Sequence, residues 1–223
     1  MTFEIQPLAP EHLDEVFTLF TVEFDSLPVG TLNRKTYENF ADLLSSPDGA
    51  NLGAFTEDRL VGYALCEVRP WIPTADPFAL GAFLSPGEPA GEVLGTLVYK
   101  AFLGHSLGTR LLRARRFALR DKGVRHATGM MLTDNFSSII TYLRSGGLLC
   151  GFDYDEYDLL NFSHYSGDLA DRSPDATQIQ TSEIDEMREL FRLGYVCRHI
   201  AWDKSQDSPK PTYSMSAEFA GRA

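Results

Sequence analysis

Two β-type runs joined by a short polar turn constrain the fold of this chain more than any other feature of its sequence. They lie in LGAFTEDRLVGYALCEV (52–68), with the turn at Glu57 and Asp58, which is the pattern of an antiparallel hairpin. A doubly wound parallel sheet requires strands and helices to alternate, so the hairpin excludes that architecture. Because two amphipathic helices, PEHLDEVFTLF and RKTYENFADLL, precede the hairpin, we predict an α+β fold with a mixed, mostly antiparallel sheet flanked by helices.

The sequence after the hairpin continues this mixture of strands and helices to about residue 163. Strands are predicted in EVLGTLVY, HATGMML and GFDYDEYDLLNF, and helices in LGTRLLRARRFALRDKG and NFSSIITYLRSGG. Beyond that point the pattern weakens to one helix, EIDEMRELFRLG, and a last strand in PTYSMSAEF. We expect a main domain over 1–163 and an extension over 164–223, with no internal repeat. The extension could complete the sheet, pair with a second subunit in a homodimer, or cover the substrate site.

The charge balance argues against nucleic acids and membranes as partners. The chain has 20 Lys and Arg against 31 Asp and Glu, a net charge of −11, which repels phosphate backbones and anionic headgroups and suits a cationic ligand. Cys66, Cys150 and Cys197 lack CxxC spacing, so the sequence predicts neither a disulfide framework nor a metal site. Without a long apolar segment or a basic leader, we expect a cytoplasmic protein.

GHSLG (104–108) fits the GxSxG nucleophile elbow of serine hydrolases. A hydrolase would use Ser106 as nucleophile, with a later acid and histidine chosen from Asp153, Asp158, Asp168, His164 and His199. No oxyanion loop is evident upstream, and the preceding strand ends at Lys100, several residues before Ser106. The hydrolase is therefore kept as an alternative.

The residues of GHSLG fit an anion-binding loop better than a nucleophile elbow. A strand, a turn of small residues and the start of a helix together expose backbone N–H groups to a phosphate. The loop is not a Walker A loop, because GHSLGTR lacks the GK[ST] ending.

At this loop the chain resembles the GNAT superfamily of N-acetyltransferases, whose acyl-CoA loop reads Q/RxxGxG/A. In LVYKAFLGHSLGTRLL, Leu103 takes the Q/R place, Ser106 the first glycine place and Gly108 the G/A place. TDNFSSIITYLRSGG similarly resembles the family's NxxxxxxYxxxG segment, with Asn135 and Tyr142 in the polar positions. The resemblance extends over about residues 3–162, since the opening strand and helix and the hairpin are also similar.

The resemblance implies an acetyl-CoA-dependent N-acetyltransferase that acts on an amine of a small molecule or peptide, with acetyl-CoA as co-substrate and no metal. Tyr142 would protonate the departing sulfur. Glu92, six residues before Val98, would share a strand face with it and act as general base. The residues implied in binding the co-substrate are Val98, Lys100, Leu103, Gly104, His105, Ser106, Leu107, Gly108, Thr109 and Asn135.

The loop departs from the family pattern at two positions. Because the Q/R and first glycine positions differ, a CoA-binding module without turnover is a second alternative.

Five arginines follow the loop, and we expect them to form a solvated helix face, with Arg110 near enough to reach a CoA phosphate. They are Arg110, Arg113, Arg115, Arg116 and Arg120.

Overall fold

A computed structural model describes residues 1–27, 29, 31–72, 84–153, 159–165, 178–202 and 211–217. The chain divides into two compact units, one formed by residues 1–69 and 89–127 and the other by residues 70–88 and 128–223. The elements that begin in the first unit are β1 Glu4–Pro7, α1 Leu13–Phe24, α2 Tyr37–Ser45, β2 Leu52–Thr56, β3 Arg59–Pro70, β4 Pro89–Val98, α3 Leu107–Asp121 and β5 His126–Leu132. Those of the second unit are α4 Phe136–Arg144, β6 Gly147–Asp153, β7 Leu159–Tyr165, β8 Gln178–Thr181, α5 Ile184–Arg192, β9 Val196–Trp202 and β10 Pro211–Ser216.

The predicted hairpin is confirmed as β2 and β3. The two strands pair antiparallel, with Leu52 opposite Ala64 and Thr56 opposite Arg59. Glu57 and Asp58 form the turn at φ 50° and 60°, the left-handed conformation that matches the twist of a two-residue hairpin. Every strand pair for which we describe the register is antiparallel, and helices flank the strands, as the α+β prediction requires.

The strands of the first unit follow the order β1-β2-β3-β4 and carry helices on both faces. On one face, α1 and α2 bury a cluster that includes Phe20, Phe40 and Tyr63. On the other face, α3 buries Leu107 and Leu111 against β2 and β3. The apolar spacing of α3 therefore has the packing role that its sequence predicted.

The five arginines of α3 do not form one solvated face. Arg115 is fully buried, whereas Arg110, Arg113 and Arg120 are exposed. Arg115 follows Leu111 by four residues, so helical spacing places it on the face that packs against the sheet.

The segment predicted as one strand, GFDYDEYDLLNF, contributes to two. β6 and β7 pair antiparallel, with Gly147 opposite His164 and Asp153 opposite Leu159. Residues 154–158 of the predicted strand lie outside the described residues. Aromatic residues alternate with acidic ones over residues 152–155, and such alternation does not show where one strand ends and the next begins.

The prediction that the chain has no internal repeat is wrong, because the second unit contains a β-α-β-β arrangement twice. The first copy is β5-α4-β6-β7 and the second is β8-α5-β9-β10. Helix α5 begins and ends 48 residues after α4, at 184 against 136 and at 192 against 144. Gly146 and Gly194 follow the two helices at φ 88° and 83°, and Ile139 and Met187 are both buried. The copies share few identical residues, so burial and backbone geometry reveal the repeat.

The two copies meet in an arrangement that implies an approximate two-fold axis. β6 pairs antiparallel with β9 through Leu149 and Cys197, which are themselves 48 residues apart. The strand order of the second unit, β5-β7-β6-β9-β10-β8, reads the same from both ends when each strand is replaced by its counterpart. Of the three arrangements considered for the extension, the structure shows strands added to the sheet of the second unit. The boundary at 163/164 stays a prediction.

Candidate active site

The loop between β4 and α3 exposes a row of backbone N–H groups. A short 3-10 turn, Lys100–Phe102, leads into it, and α3 begins at Leu107. Within the described part of the chain, no amide N–H from Gly104 to Thr109 donates to a protein acceptor. A side chain at Gly104 would meet no atom within 4 Å. The loop therefore offers open space in front of free donors at a helix N-terminus, which fits the pyrophosphate of a CoA molecule.

Phe3, directly before β1, packs against this loop. Its ring makes an edge contact with Phe102, at 6.1 Å between centroids, and a tilted contact with His105, at 5.3 Å. Arg110 donates from Nη2 to the Phe3 carbonyl oxygen at 2.8 Å. The guanidinium that we expected near a CoA phosphate thus makes a structural bond, and His105 packs on a ring although it is exposed.

Ser106 and Leu103 stand where the family pattern has other residues. Ser106 adopts φ 57° and ψ 21°, a left-handed conformation that glycine takes without strain. Its side chain makes no capping hydrogen bond to α3. Leu103 is 62% exposed, so it does not supply the packing of an apolar core residue. The sequence departs from the family motif, but the backbone at Ser106 keeps the conformation that a motif glycine favours.

Substitutions at Ser106 should separate backbone strain from side-chain chemistry. We expect Ser106→Val to lower the free energy of unfolding by about 1–2 kcal/mol, because a β-branched residue is strongly disfavoured in this conformation. Ser106→Ala should stay close to wild type in stability and in turnover. Urea unfolding and the rate of thiol release from acetyl-CoA measure the two effects. Loss of turnover in Ser106→Ala would contradict the backbone role and restore the nucleophile interpretation.

Val98 ends β4, and Lys100 begins the short 3-10 turn that leads into the loop. The Val98 side chain packs on the α3 side, against the cluster that contains Leu107. The Lys100 amide, expected to be open to a ligand, donates instead to Glu23 Oε1 at 3.1 Å. A pantetheine contact at Lys100 would require this carboxylate to move.

The prediction that Glu92 and Val98 share a face of β4 is wrong. Val93 and Val98 both pack on the α3 side, although they are five residues apart and regular alternation would separate them. Gly95, at φ 142°, interrupts the alternation between them. Because Glu92 is adjacent to Val93, it lies on the opposite side, toward α1 and α2.

On that side Glu92 belongs to a group of charged residues. Arg69 contacts Glu92 Oε2 from Nη1 at 2.9 Å and donates to Glu67 Oε2 from Nε at 2.8 Å. Burial lowers the pKa of Lys35, while the Glu92 carboxylate acts in the opposite direction. The Glu92 side chain is 47% exposed, so solvent reaches it beside its arginine partner.

In the second unit, α4 carries the other two predicted site residues. Asn135 caps the helix, its Oδ1 accepting from the Ser138 amide at 3.2 Å. Asn135 rather than Asp134 therefore provides the cap. Tyr142 is only 6% exposed, and its carbonyl oxygen accepts from Ser145 Oγ at 2.7 Å. The side chain is held in the packed face of α4, as an amphipathic helix predicts.

The residues considered for a hydrolase triad give that alternative no support. Ser106 makes no side-chain hydrogen bond within the described residues, and its neighbour His105 packs on Phe3. Asp158 and Asp168, two of the candidate acids, lie outside the described residues.

Comparison with known protein families assigns the chain to one of them. Residues 13–146 match the acetyltransferase (GNAT) family, and this stretch includes the hairpin, the amide-lined loop and Tyr142. The protein belongs to the GNAT acetyltransferase family, and it is an acyltransferase. The family assignment confirms the resemblance drawn from the two motifs and displaces the hydrolase alternative. None of the curated proteins matches the chain.

Solved structures share the fold at low sequence identity. An acetyltransferase of the GNAT family from Streptococcus pneumoniae aligns with a TM-score of 0.55 and 16% identity, covering 74% of this chain and 100% of that one. PaiA N-acetyltransferase from Thermoplasma acidophilum, in complex with coenzyme A, aligns at 0.54 and 16%, covering 74% and 99%. Arabidopsis thaliana NAA60, in complex with acetyl-CoA, aligns at 0.57 and 15%, covering 74% and 98%. These similarities establish the GNAT fold.

The described residues contain neither a metal-ligand cluster nor a membrane-spanning helix. No group of three or more His, Cys, Asp or Glu side chains there converges as a metal site would require. No helix in the same part of the chain is long and apolar enough to cross a membrane.

Proposed function

We propose that this protein transfers the acetyl group of acetyl-CoA to a primary amine of a small molecule or peptide. The observation that carries the proposal is the row of free amide N–H groups from Gly104 to Thr109 at the start of α3. Such donors suit a pyrophosphate, because they add hydrogen bonds to the positive end of the helix. Two solved structures with this fold hold coenzyme A or acetyl-CoA.

The bound thioester would supply an activated acetyl carbon. The amine nitrogen forms a bond to that carbon, the carbon–sulfur bond breaks, and the electron pair of that bond stays on sulfur. Tyr142 is our proposed general acid, giving its hydroxyl proton to the sulfur. Its burial in the face of α4 fixes the ring and limits exchange of that proton with bulk water.

The proton lost by the amine needs an acceptor, for which we propose Glu92. Its carboxylate is partly exposed and bound to Arg69, so it would act through a water molecule rather than by direct contact with a buried amine. Asn135 would contribute by holding the first turn of α4 through its cap.

We also propose a cytoplasmic location and no need for a metal. All three cysteines are free and buried, which suits a reducing compartment. We propose that the protein can also form a homodimer. Within one chain, β6 and β9 of the two repeat copies already pair antiparallel.

The test is thermal stability with and without acetyl-CoA. At a hundredfold its dissociation constant the ligand should stabilise the protein by about 2.7 kcal/mol. We expect this stabilisation in wild type and in Ser106→Ala, and little from pantetheine, which lacks the pyrophosphate. Stabilisation with amine-dependent thiol release supports the transferase, whereas stabilisation without turnover of any amine indicates a binding module. No stabilisation in either protein would overturn the proposal.

A further inference from the structure

In the first unit, the segment of residues 31–35 between α1 and α2 lies against β4. The Leu32 side chain packs on Gly95, where a Cβ added to the glycine would lie 3.1 Å from Leu32 Cδ2. Three residues further along the segment is Lys35, and three residues back along β4 is Glu92. These two side chains are close enough for their opposite charges to interact. The segment therefore covers the stretch of β4 between Glu92 and Gly95.

Two hydroxyl groups next to this contact have no hydrogen-bond partner within the described residues. They are Thr31 Oγ1 and Thr96 Oγ1, and both atoms are buried. Thr31 directly precedes Leu32 in the segment, and Thr96 directly follows Gly95 in β4. A buried hydroxyl without a partner is unfavourable unless a ligand or a water molecule bonds to it. The contact between the segment and β4 thus has hydrogen-bonding capacity that suits a bound carbonyl oxygen.

Lys35 has the properties of an amine nucleophile. The residue is half-buried, and within the described residues its ammonium group forms neither a hydrogen bond nor an ion pair. Burial lowers the pKa of Lys35, and the opposing effect of the Glu92 carboxylate is smaller. Only a neutral amine attacks a carbonyl carbon, so burial favours the reactive form. By contrast, Lys122 donates from Nζ to the Pro47 carbonyl oxygen at 2.8 Å, and Lys100 is exposed.

Acetyl-CoA bound at the amide row would carry its acetyl group to this part of β4. The arm of CoA between the pyrophosphate and the sulfur has the length of about four extended residues, roughly 14 Å. A strand rises about 3.3 Å per residue, so an arm that runs back along β4 from Val98 reaches Gly95 and Leu94. Leu94 lies between Gly95 and Glu92, the residues with which the segment 31–35 interacts.

We propose that Lys35 is a self-acetylation site, which takes the acetyl group of acetyl-CoA bound to the same chain. The Lys35 nitrogen forms a bond to the acetyl carbon, the carbon–sulfur bond breaks, and its electron pair stays on sulfur. Glu92 accepts the proton that the nitrogen loses, and the sulfur takes a proton from Tyr142. The product is an amide without a positive charge beside Glu92. The acetyl donor in this step rests on the proposed transferase function.

The test is incubation of the full chain with saturating acetyl-CoA and no other amine, followed by peptide mass spectrometry. We expect Lys35 to be acetylated about 10-fold or more faster than Lys100 and Lys122, because a positioned amine has the advantage of proximity. The rate per chain should not change when the protein is diluted about tenfold, since the reaction occurs within one chain. Lys35→Arg should abolish the fast incorporation, and the matched control Lys122→Arg should leave it unchanged.

The outcomes separate this proposal from the transferase function. If acetyl-CoA stabilises the protein and an added amine is acetylated, but Lys35 is not, self-acetylation fails and the transferase function stands. If acetyl-CoA neither binds nor acetylates any amine, both proposals fail. Equal labelling of Lys35, Lys100 and Lys122 overturns self-acetylation, because it indicates reaction with free acetyl-CoA in solution. A rate per chain that falls on dilution also overturns it, because it indicates transfer between chains.

Discussion

Tyr142→Phe should lower kcat about 100- to 1000-fold while the affinity for acetyl-CoA stays unchanged. Proton transfer from a positioned side chain contributes effects of this size, and without the hydroxyl the departing sulfur must take its proton from water. Phenylalanine fills nearly the same volume, so the packed face of α4, where Tyr142 is buried, should be preserved. Steady-state kinetics gives kcat, and ligand-dependent thermal stability gives the affinity.

Tyr195→Phe is the matched control for this substitution. It makes the same chemical change in the same unit, at a half-buried residue between α5 and β9, and kcat should stay within twofold of wild type. A Tyr142→Phe enzyme with unchanged kcat would show that another group protonates the sulfur. A fall in acetyl-CoA affinity equal to the fall in kcat would instead indicate a structural role for the hydroxyl.

The second large effect is a loss of stability at alkaline pH. Burial raises the pKa of the Cys66 thiol to about 11 and those of Cys150 and Cys197 to about 12, whereas a thiol in the unfolded chain has a pKa of about 8.5. Between these values the unfolded state loses protons that the folded state keeps, so the free energy of unfolding falls as pH rises. Each thiol contributes about 1.4 kcal/mol per pH unit.

For three thiols this is roughly 4 kcal/mol per pH unit above the unfolded pKa, compared with a total stability of about 5–15 kcal/mol for a typical domain. Urea unfolding at pH 8 and pH 10 measures the slope. Cys150→Ala should reduce it by about one third, and a slope unaffected by that substitution would show that the thiols are not its cause. Buried Tyr63 and Tyr213, whose pKa values burial also raises, act in the same direction at higher pH.

Sequence periodicity predicted the elements of the first unit because each of them depends on nearby residues. Apolar spacing identified α1, α2 and α3, and two polar residues marked the turn between β2 and β3. The cap of α4 was also foreseeable, since Asn135 bonds an amide only three residues away. The site was partly predictable for the same reason, because the amide row depends only on where a strand ends and a helix begins.

Contacts between distant residues were not predictable in this way. The face of β4 on which Glu92 lies, relative to Val98, depends on a single glycine, Gly95. Its φ of 142° shifts the alternation of side chains along β4. Glu23 lies 77 residues before Lys100 and accepts a hydrogen bond from the Lys100 amide. No local sequence pattern links these two residues. The repeat of the second unit was hidden because its copies preserve burial and chain reversal rather than residue identity.

The sequence by itself therefore determined the α+β class, the succession of elements through α4 and the family to which the chain belongs, because local periodicity and short motifs carry that information. Only the tertiary structure decided which strands are neighbours and which charged side chains are buried. Those features arise when segments far apart in the chain pack together, and the free energy of that packing depends on shape and burial in three dimensions. The pairing of β6 with β9 is an example, since Leu149 and Cys197 are brought together from positions 48 residues apart.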